Sequence, residues 1–539
     1  MAVVSLSRKR SSPPQVTNKT VPSLKDSTVD PPFGHILRRS VRVLPLLLLL
    51  LILFFWFSYM LPSMPFFHIC ISSRKINLYC ISGGMQPNFD AIVPPRLISF
   101  TNTTTTTTNT TSSTSNVGKK EEIGNAIKVV EEKLQVIRSW ASNSSKPRSC
   151  DGRGVFVYDL PPKFNKELIE HCRDLLLPWT DFCNYFKNDA KGEPIPSLGD
   201  RWFRTHQYSL EPIFHSRLLK HPCRVRDEAE AKLFYVPFYA GLDVLRWHFK
   251  NNVSGDVKDS LGVQLVSWLE TSSKWWARNS GADHVFVLGK ISWDFRRRDD
   301  GAWGTRLLEL QQMRNSLKLL IERHPWEAND IGVPHPTYFH PKTDDDVRAW
   351  QARIISSART SLASFVGAAR PDAEESIRSA LIEQCESSLG ECRFLDCSTG
   401  ACANPEAVIG VFEESEFCMQ PPGDSPTRRS VFDGLISGCI PVLFDPFTAY
   451  YQYPWHLPEE RGLYSVFVDK EEVREGKVNV MERLRRVSKK ERDDMRRYIV
   501  YELMPRLVYA DSDAEMERFD DAFDVAMEGL FSGISRLEL

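Results

Sequence analysis

The stretch FCMQPPGDSPTRRSVFDGLISGCIPVLF, residues 417–444, has the pattern of a strand, a glycine turn, a helix and a second strand. The two strands are the apolar runs 415–419 and 439–444, and the helix between them has Ser425 as its expected N-cap and Pro426 as its first residue. Consecutive strands joined by a helix are typical of a parallel sheet covered by helices. The stretch therefore predicts an α/β fold.

Arg428 and Arg429 lie in the first turn of this predicted helix. A cation there is unfavourable by about 0.3–1 kcal/mol, because the backbone dipole is already positive at a helix N-terminus. A glycine turn that leads into a helix is also a place where phosphate binds free backbone N–H groups. We therefore expect a diphosphate here, with Gly423 and Ser425 beside it. Alternatively, Arg429 forms an ordinary ion pair with Asp433, although that acid could instead bind a ribose.

Short apolar runs alternate with helical patterns throughout residues 150–539, which favours two parallel sheets. We place the first α/β half at 150–345 and the second at 346–539, with the proline-rich PHPTYFHP, 334–341, at the junction. The acidic run TDDD, 343–346, resembles the D-x-D metal site of other sugar transferases, but a solvated charge run in a linker is the simpler interpretation. Predicted strands lie at 154–160, 231–238, 283–289, 362–368, 415–419, 439–444 and 463–468, and predicted helices at 210–219 and 263–270.

Residues 43–67 form an uncharged apolar run that is long enough to cross a membrane. As a helix, about 25 residues span about 37 Å, more than the ~30 Å hydrocarbon core. A cleaved signal peptide is the alternative, but its apolar region is usually about 7–15 residues long and follows a shorter leader than residues 1–42. Basic residues in that leader predict a cytosolic tail, so that everything after residue 67 is lumenal.

Residues 68–149 are expected to be a disordered lumenal stem, since the run TNTTTTTTNTTSSTS, 101–115, is polar and repetitive. Such a stem is suited to O-glycosylation. Four N-x-[ST] sequons add candidates for N-glycosylation. They begin at Asn102, Asn109, Asn143 and Asn252.

The cysteines indicate the cellular compartment of the protein, and the net charge bears on the class of molecule that it binds. Ten of the twelve cysteines lie in residues 150–439, as expected where disulfides form. Zinc is the alternative for Cys385, Cys392, Cys397 and Cys402, but their spacing lacks the close C-x₂-C pairs of zinc sites. With 68 basic and 69 acidic residues, the chain offers no electrostatic case for nucleic acid. Anchor, stem and head together predict a single-pass type II protein of the Golgi membrane.

The segment PPGDSPTRRSVFDGLISGCIPVLF resembles the donor-site segment of the exostosin-like glycosyltransferases, family 47. The resemblance runs from about Cys150 to Phe523. One departure is Ser430, because many relatives have an arginine at this place, three residues before the acid. Further pieces resemble the plant xyloglucan galactosyltransferases, the Katamari type: CDGRGVFVYDLPPKFN (150–165), VPFYAGLD (236–243), SWDFRR (292–297), HPTYFHP (335–341), SIRSALIEQC (376–385) and AYYQYPWHLP (449–458).

The resemblance implies a GT-B architecture, in which two Rossmann-like domains face each other across a cleft, the first binding the acceptor and the second the UDP-sugar. It also implies an inverting reaction that needs no metal and no cofactor, with UDP-galactose as the donor substrate. The implied acceptor is xyloglucan, whose xylose side chains receive galactose in β-1,2 linkage. The alternatives are another UDP-sugar, of galacturonic acid, glucuronic acid or arabinose, or a non-catalytic Golgi partner subunit. A complex with other Golgi glycosyltransferases is a further expectation.

An inverting transfer needs a base that takes the proton of the acceptor hydroxyl. Asp243, Asp294 and Asp159 are the candidates, since each follows a predicted strand of the first half, where α/β sheets have their functional loops. An acid at a strand end is otherwise often a turn residue. Arg370 and Arg378 are further candidates for binding the diphosphate, although Arg378 could be a solvated helix residue.

Aromatic residues near these loops are candidates for stacking on the sugar faces of the acceptor. They are Trp293 in SWDF, and Tyr451, Tyr453 and Trp455 in AYYQYPWHLP. The alternative is that they belong to the core, which is the commoner place for aromatic side chains.

Overall fold

The computed structural model describes residues 67–70, 80–83, 114–141 and 150–537, the last range with gaps at 151, 176–180, 249, 251, 299–302, 372 and 374–375. The predicted anchor, 43–67, lies outside these residues except for its last one. Within the described ranges, no helix has both the length and the apolar character needed to cross a bilayer. A small two-stranded sheet consists of β1 (Phe67–Cys70) and β2 (Cys80–Gly83).

The first half is built around a six-stranded sheet. Its strands are β3 (Val155–Val157), β4 (Arg224–Val225), β5 (Leu233–Tyr235), β6 (His284–Ile291), β7 (Leu317–Glu322) and β8 (Asp330–Gly332). They lie in the order β4-β3-β5-β6-β7-β8, and every neighbouring pair is parallel. β6, with the sequence HVFVLGKI, is buried along nearly its whole length, as in a parallel sheet covered on both faces. The helices of five or more residues in this half are α2 (Lys166–Glu170), α3 (Leu210–Leu219), α4 (Ala240–Leu245), α5 (Gly255–Ser272) and α6 (Lys274–Arg278).

The second half repeats this plan with five strands. They are β9 (Ser361–Gly367), β10 (Cys392–Asp396), β11 (Ser415–Gln420), β12 (Ile440–Leu443) and β13 (Val466–Phe467). Their order is β10-β9-β11-β12-β13, again with all pairs parallel. The helices are α7 (Asp344–Ser356), α8 (Arg378–Glu386), α9 (Pro405–Glu413), α10 (Arg429–Ile436), α11 (Lys470–Arg474), α12 (Val480–Arg485), α13 (Lys489–Tyr498) and α14 (Ala522–Leu537). Since the carboxyl ends of parallel strands share one edge, the loops after β9 and β11 meet there.

The predicted α/β fold with parallel sheets is confirmed. The helices expected at 210–219 and 263–270 are α3 and part of α5. The pattern did not reveal β4, β7, β8 and β10. β7 reads LKLLIE, and the two charged side chains in this buried strand break the apolar run by which the other strands were recognised.

The acidic run TDDD begins a helix. The hydroxyl of Thr343 accepts the N–H of Asp346 (3.2 Å), and the carboxylate of Asp346 accepts the N–H of Thr343 (2.9 Å), which is a capping box at the start of α7. Acidic residues in a first turn also complement the helix dipole. The run therefore stabilises a helix N-terminus, which corrects its interpretation as part of a solvated linker.

Helix α1 (Thr114–Trp140) corrects the prediction of a stem without packed structure up to residue 149. Val130, Leu134 and Ile137 are buried in the hydrophobic cores of the two halves. Their three- and four-residue spacing forms an apolar stripe along one face of the helix. The indole Nε1 of Trp455 donates to the Ile137 carbonyl (2.8 Å), so the helix is also hydrogen-bonded to the head. The packed head therefore includes residues N-terminal to Cys150.

The ten cysteines of residues 150–439 are all paired in disulfides, as predicted. The bridges are Cys150–Cys223, Cys172–Cys183, Cys385–Cys392, Cys397–Cys402 and Cys418–Cys439. The disulfide interpretation of the closely spaced cysteines at 385–402 is therefore confirmed over the zinc alternative.

Candidate functional site

The glycine turn after β11 leads into α10, but the helix begins later than expected. Arg428 is its N-cap, with extended backbone and no side-chain cap, and Arg429 is its first residue. The predicted cap at Ser425 is wrong because the turn continues through Thr427, and the helix starts only after Arg428. There the backbone N–H and the hydroxyl of Thr427 both donate to the Glu322 carboxylate at the end of β7 (2.9 and 2.6 Å). Both arginines lie at the helix start, as predicted.

Arg428 points back along the turn. Its Nη1 donates to the Pro421 carbonyl (3.2 Å) and its Nε to the hydroxyl of Ser430 (3.1 Å). Ser430 in turn donates to Gln420 Oε1 (2.6 Å), so the residue that departs from the family pattern orients this arginine. Burial, followed by the nearby Arg378 guanidinium, lowers the pKa of Arg428 to about 9. Among the described residues, no carboxylate forms an ion pair with Arg428.

Two further arginines lie at the same edge of the second sheet. Arg378, the first residue of α8, is buried and donates from Nε to the Pro422 carbonyl (3.1 Å). Burial, followed by the charge of Arg370, lowers its pKa to about 10. Arg370 is more exposed and forms an ion pair with Asp424. We call Arg370, Arg378 and Arg428 the arginine cluster, and within the described residues it has only one paired carboxylate.

Gly423 has no side chain, and this leaves space for the guanidinium of Arg378 in the arginine cluster. A Cβ at this position would lie 3.1 Å from Nη2 of Arg378, which is tighter than nine in ten real Cβ contacts. The backbone N–H of Gly423 donates to the Ser425 carbonyl (3.0 Å), which closes the turn. A tight turn with guanidinium groups in excess over carboxylates favours an anionic ligand.

Arg429 points away from the arginine cluster. Its Nε lies 3.2 Å from Asp433 Oδ2, its Nη1 donates to the Thr205 carbonyl (2.6 Å), and its guanidinium lies 3.6 Å from the centre of the Tyr338 ring. The ion-pair interpretation of Arg429 therefore describes the structure, except that the pair is buried. Burial raises the pKa of Asp433 to about 6, opposed by Arg429. Because the Asp433 side chain is enclosed, we assign it to holding Arg429 and not to a ribose.

The three candidate bases occupy different environments in the first half. Asp243 is buried in α4 and ion-paired with Arg246, and burial raises its pKa to about 6. Asp294 is also buried, with Oδ2 2.8 Å from Lys290 Nζ and Oδ1 accepting from the indole of Trp303 (2.7 Å). Asp159 is exposed after β3. None of the three forms a hydrogen bond or ion pair with the arginine cluster.

Three of the four predicted acceptor aromatics belong to the core. Tyr451, Tyr453 and Trp455 are each at least 96% buried. Their polar atoms are used inside the protein, since Tyr451 donates to Glu131 (3.1 Å) and Tyr453 to the Ile321 carbonyl (2.9 Å). AYYQYPWHLP therefore offers no surface to a glycan, because α1 and the two sheets cover it. Trp293 is partly exposed, and its ring lies 5.6 Å from that of His324.

Residues that sequence reasoning did not select also shape this site. Glu322 holds the turn through Thr427, while Thr205 and Tyr338 hold Arg429. All three belong to the first half or the junction, and their roles depend on contacts between distant parts of the chain. Of these three residues, only Tyr338 could have been selected from the sequence, because it lies in the motif HPTYFHP.

The four sequons differ in what the structure shows. Asn102, Asn109 and Asn143 lie outside the described residues. Asn252 is exposed in a turn with a φ of 60°. Its side chain is therefore accessible to a glycosylating enzyme.

Comparisons with known proteins assign the family. The Exostosin GT47 domain matches residues 149–484. Xyloglucan-specific galacturonosyltransferase 1 of Arabidopsis thaliana is 62% identical over 421 residues, which are 78% of this chain and 63% of that protein, less than two thirds of its length. The probable xyloglucan galactosyltransferase GT20 of the same plant is 49% identical over 568 residues, covering 96% of this chain and 98% of its own. Xyloglucan galactosyltransferase XLT2, also from Arabidopsis thaliana, is 42% identical, and the match covers 71% of this chain and 75% of that protein.

A solved structure of the pneumococcal O-GlcNAc transferase GtfA with UDP and GlcNAc matches 46% of this chain and 56% of its own, with 10% identity and a TM-score of 0.22. This similarity is too low to inform the fold. The family match covers both parallel sheets and the turn that contains the arginine cluster. The chain therefore belongs to the exostosin GT47 family and is a glycosyltransferase.

Proposed function

We propose that this glycosyltransferase moves galactose from UDP-galactose to xylose side chains of xyloglucan, with inversion and in β-1,2 linkage. The observation that carries the proposal is the arginine cluster at the carboxyl edge of the second sheet. Guanidinium groups bind phosphate oxygens through strong charge-assisted hydrogen bonds. The names of the relatives supply the sugar and the polymer.

In this proposal the cluster stabilises the leaving group. When the bond from sugar to diphosphate breaks, negative charge develops on the phosphate oxygens, and preorganised cations lower the energy of that state. Arg428 and Arg378 are held by backbone carbonyls, so their guanidinium groups are fixed before the donor binds. We expect these cations to serve without a divalent metal, so that transfer should continue in the presence of a chelator.

The base is proposed to come from the first half. Asp159 is the first choice among the three candidates, because its carboxylate is exposed and has no hydrogen-bond or ion-pair partner among the described residues. Asp294 is engaged by Lys290 and Trp303, and Asp243 by Arg246. A cation or hydrogen-bond donor beside a carboxylate stabilises its charged form, which makes it a weaker proton acceptor.

The architecture and location of the whole protein belong to the same proposal. The two sheets, each parallel and each covered by helices, fit the two Rossmann-like domains of a GT-B enzyme, with the donor in the second. The apolar run 43–67 and the five disulfides support a type II Golgi protein with a lumenal head. Association with other Golgi glycosyltransferases remains part of the proposal.

Transfer of galacturonic acid is the second candidate. The 62% identity to a galacturonosyltransferase favours it. The two sugars share the galacto configuration and differ only at C6, which is a hydroxymethyl group in one and a carboxylate in the other. Both candidates use the same diphosphate site.

A donor screen tests the proposal. Purified full-length protein is incubated with galactose-free xyloglucan oligosaccharide, EDTA and either UDP-galactose or UDP-galacturonic acid, and the product mass is measured. A gain of one galactose supports the first candidate, whereas a gain of one galacturonic acid replaces it with the second. UDP-sugar binding without any transfer to a wall polysaccharide would favour the non-catalytic subunit.

A further inference from the structure

Three partly exposed rings form a cluster in the first half. The rings of Tyr185 and His206 lie 4.7 Å apart, and those of His206 and Tyr208 lie 5.0 Å apart. Phe182 packs behind them, 4.7 Å from His206, and is 2% exposed. The three outer rings therefore present aromatic surface to solvent on a buried apolar support.

This ring cluster lies next to both the start of α10 and the end of β6. Arg429, the first residue of α10, donates from Nη1 to the carbonyl of Thr205, the residue before His206 (2.6 Å). On the other side, Lys290 Nζ, from the end of β6, lies 3.9 Å from the centre of the Tyr208 ring. The cluster thus joins the start of the donor helix to the carboxyl edge of the first sheet.

The cations around the rings are already neutralised. Lys290 is paired with Asp294, and Arg429 with Asp433. Burial, with the charges of Arg429 and Lys290, lowers the pKa of His206 to about 3, so the imidazole is uncharged at neutral pH. Its Nδ1 accepts the N–H of Tyr208 (3.2 Å), which leaves Nε2 with the proton as a hydrogen-bond donor.

We propose that Tyr185, His206 and Tyr208 form the subsite that binds a pyranose ring of an uncharged glycan acceptor. Aromatic faces stack on the C–H faces of sugars, while the imidazole N–H and a phenol hydroxyl reach the sugar hydroxyls. The absence of net charge at the rings disfavours a polyanionic acceptor. This inference rests on the proposed function, and it gives the acceptor a place that AYYQYPWHLP does not provide.

Uracil of the donor is the competing occupant, because a nucleobase also stacks on aromatic rings. The same substitution has a different effect for each of the two occupants. Loss of an acceptor subsite raises the KM for the glycan, whereas loss of a base platform weakens the binding of UDP itself.

The experiment uses the full-length protein with galactose-free xyloglucan oligosaccharide and the donor chosen by the screen. Tyr185→Ala should raise the acceptor KM about ten-fold, because the aromatic face that stacks on the pyranose ring is lost. Tyr185→Phe should raise it less, because the ring remains. Tyr501→Ala is the matched control, since Tyr501 is an exposed tyrosine outside the cluster. Thermal unfolding of each variant checks the fold, and Tyr185→Leu, which keeps more apolar volume, replaces the alanine variant if that one is unstable.

The outcomes separate the two proposals. If the wild-type protein binds no UDP by calorimetry and transfers no sugar, the proposed function fails. If it transfers sugar but Tyr185→Ala and Tyr185→Leu keep the wild-type acceptor KM, the ring cluster is not the acceptor subsite. A loss of UDP affinity in these variants would assign the rings to the nucleobase and overturn the inference.

Discussion

At the scale of single residues, Arg428 and Arg429 are neighbours with different tasks. Arg428 is oriented by Ser430 and has no paired carboxylate among the described residues, whereas Arg429 is tied to Asp433, Thr205 and Tyr338. The sequence predicted that both arginines lie at a helix start and bind a diphosphate. An ion pair with Asp433 was the alternative for Arg429. The sequence could not assign the roles, because two of the contacts of Arg429, those with Thr205 and Tyr338, come from residues more than 90 positions away.

Arg429→Met should destabilise the protein strongly. The variant leaves Asp433 buried without its cation, a situation that typically costs about 3–5 kcal/mol in the free energy of unfolding. The double variant Arg429→Met/Asp433→Asn should recover part of this loss, because the uncompensated charge is gone. Denaturant titrations of the wild type, both single variants and the double variant measure the effect. Simple addition of the two single losses would show that the pair is not coupled.

Glu211 should make stability depend on pH. Its Oε1 accepts the backbone N–H groups of Gly241 (2.6 Å) and Gly289 (3.1 Å), and burial raises its pKa to about 8. In the unfolded chain the pKa is about 4.3, so between these values the folded state holds a proton that the unfolded state has released. The contribution is therefore full below about pH 4 and is lost as pH rises through about 8, by at most about 1.4 kcal/mol per pH unit.

Glu211→Gln tests this titration, since the amide keeps a carbonyl acceptor and releases no proton. The difference in unfolding free energy between pH 5 and pH 8 should be smaller in the variant than in the wild type. Denaturant titrations at the two pH values provide the measurement. Equal changes in both proteins would assign the pH dependence to other groups.

At the scale of elements, the starts and ends of α10 and α1 were the least predictable features. Ser425 and Pro426 were reasonable first residues of a helix, but two hydrogen bonds to Glu322, at the end of β7, keep Thr427 in the turn. A contact between the two halves therefore overrides the local capping preference. Helix α1 was missed because its apolar stripe follows a polar, repetitive run that is typical of a stem.

Leu134→Ala tests whether α1 belongs to the head. Leu134 is 4% exposed within the core, so the smaller side chain should lower the free energy of unfolding by about 2–5 kcal/mol. Val136→Ala is the control on the same helix, because Val136 is 51% exposed and its loss should change stability by no more than about 0.5 kcal/mol. Denaturant titration of both variants gives the comparison. Equal stability of the two would mean that α1 contributes no packing in solution.

At the scale of the whole molecule, periodicity was enough to predict an α/β fold with parallel sheets covered by helices. It did not predict which aromatics are accessible, because Tyr451, Tyr453 and Trp455 are buried in the core while Tyr185 and Tyr208 are partly exposed. Exposure of a side chain depends on the packing of distant elements, and no local pattern encodes it. The same reason separates Asp159, which is exposed, from the engaged Asp243 and Asp294.

The central claim is that the arginine cluster binds the diphosphate of the donor, and calorimetric titration of UDP tests it most directly. Arg428→Ala removes a charge-assisted contact worth about 1.5–3 kcal/mol, so UDP should bind roughly ten- to a hundred-fold more weakly. Arg348→Ala is the control, because Arg348 is an exposed arginine paired with Asp345 in α7. Weaker binding in Arg428→Ala with wild-type affinity in Arg348→Ala is the result we predict. Equal UDP affinity in the wild type and folded Arg428→Ala would contradict it.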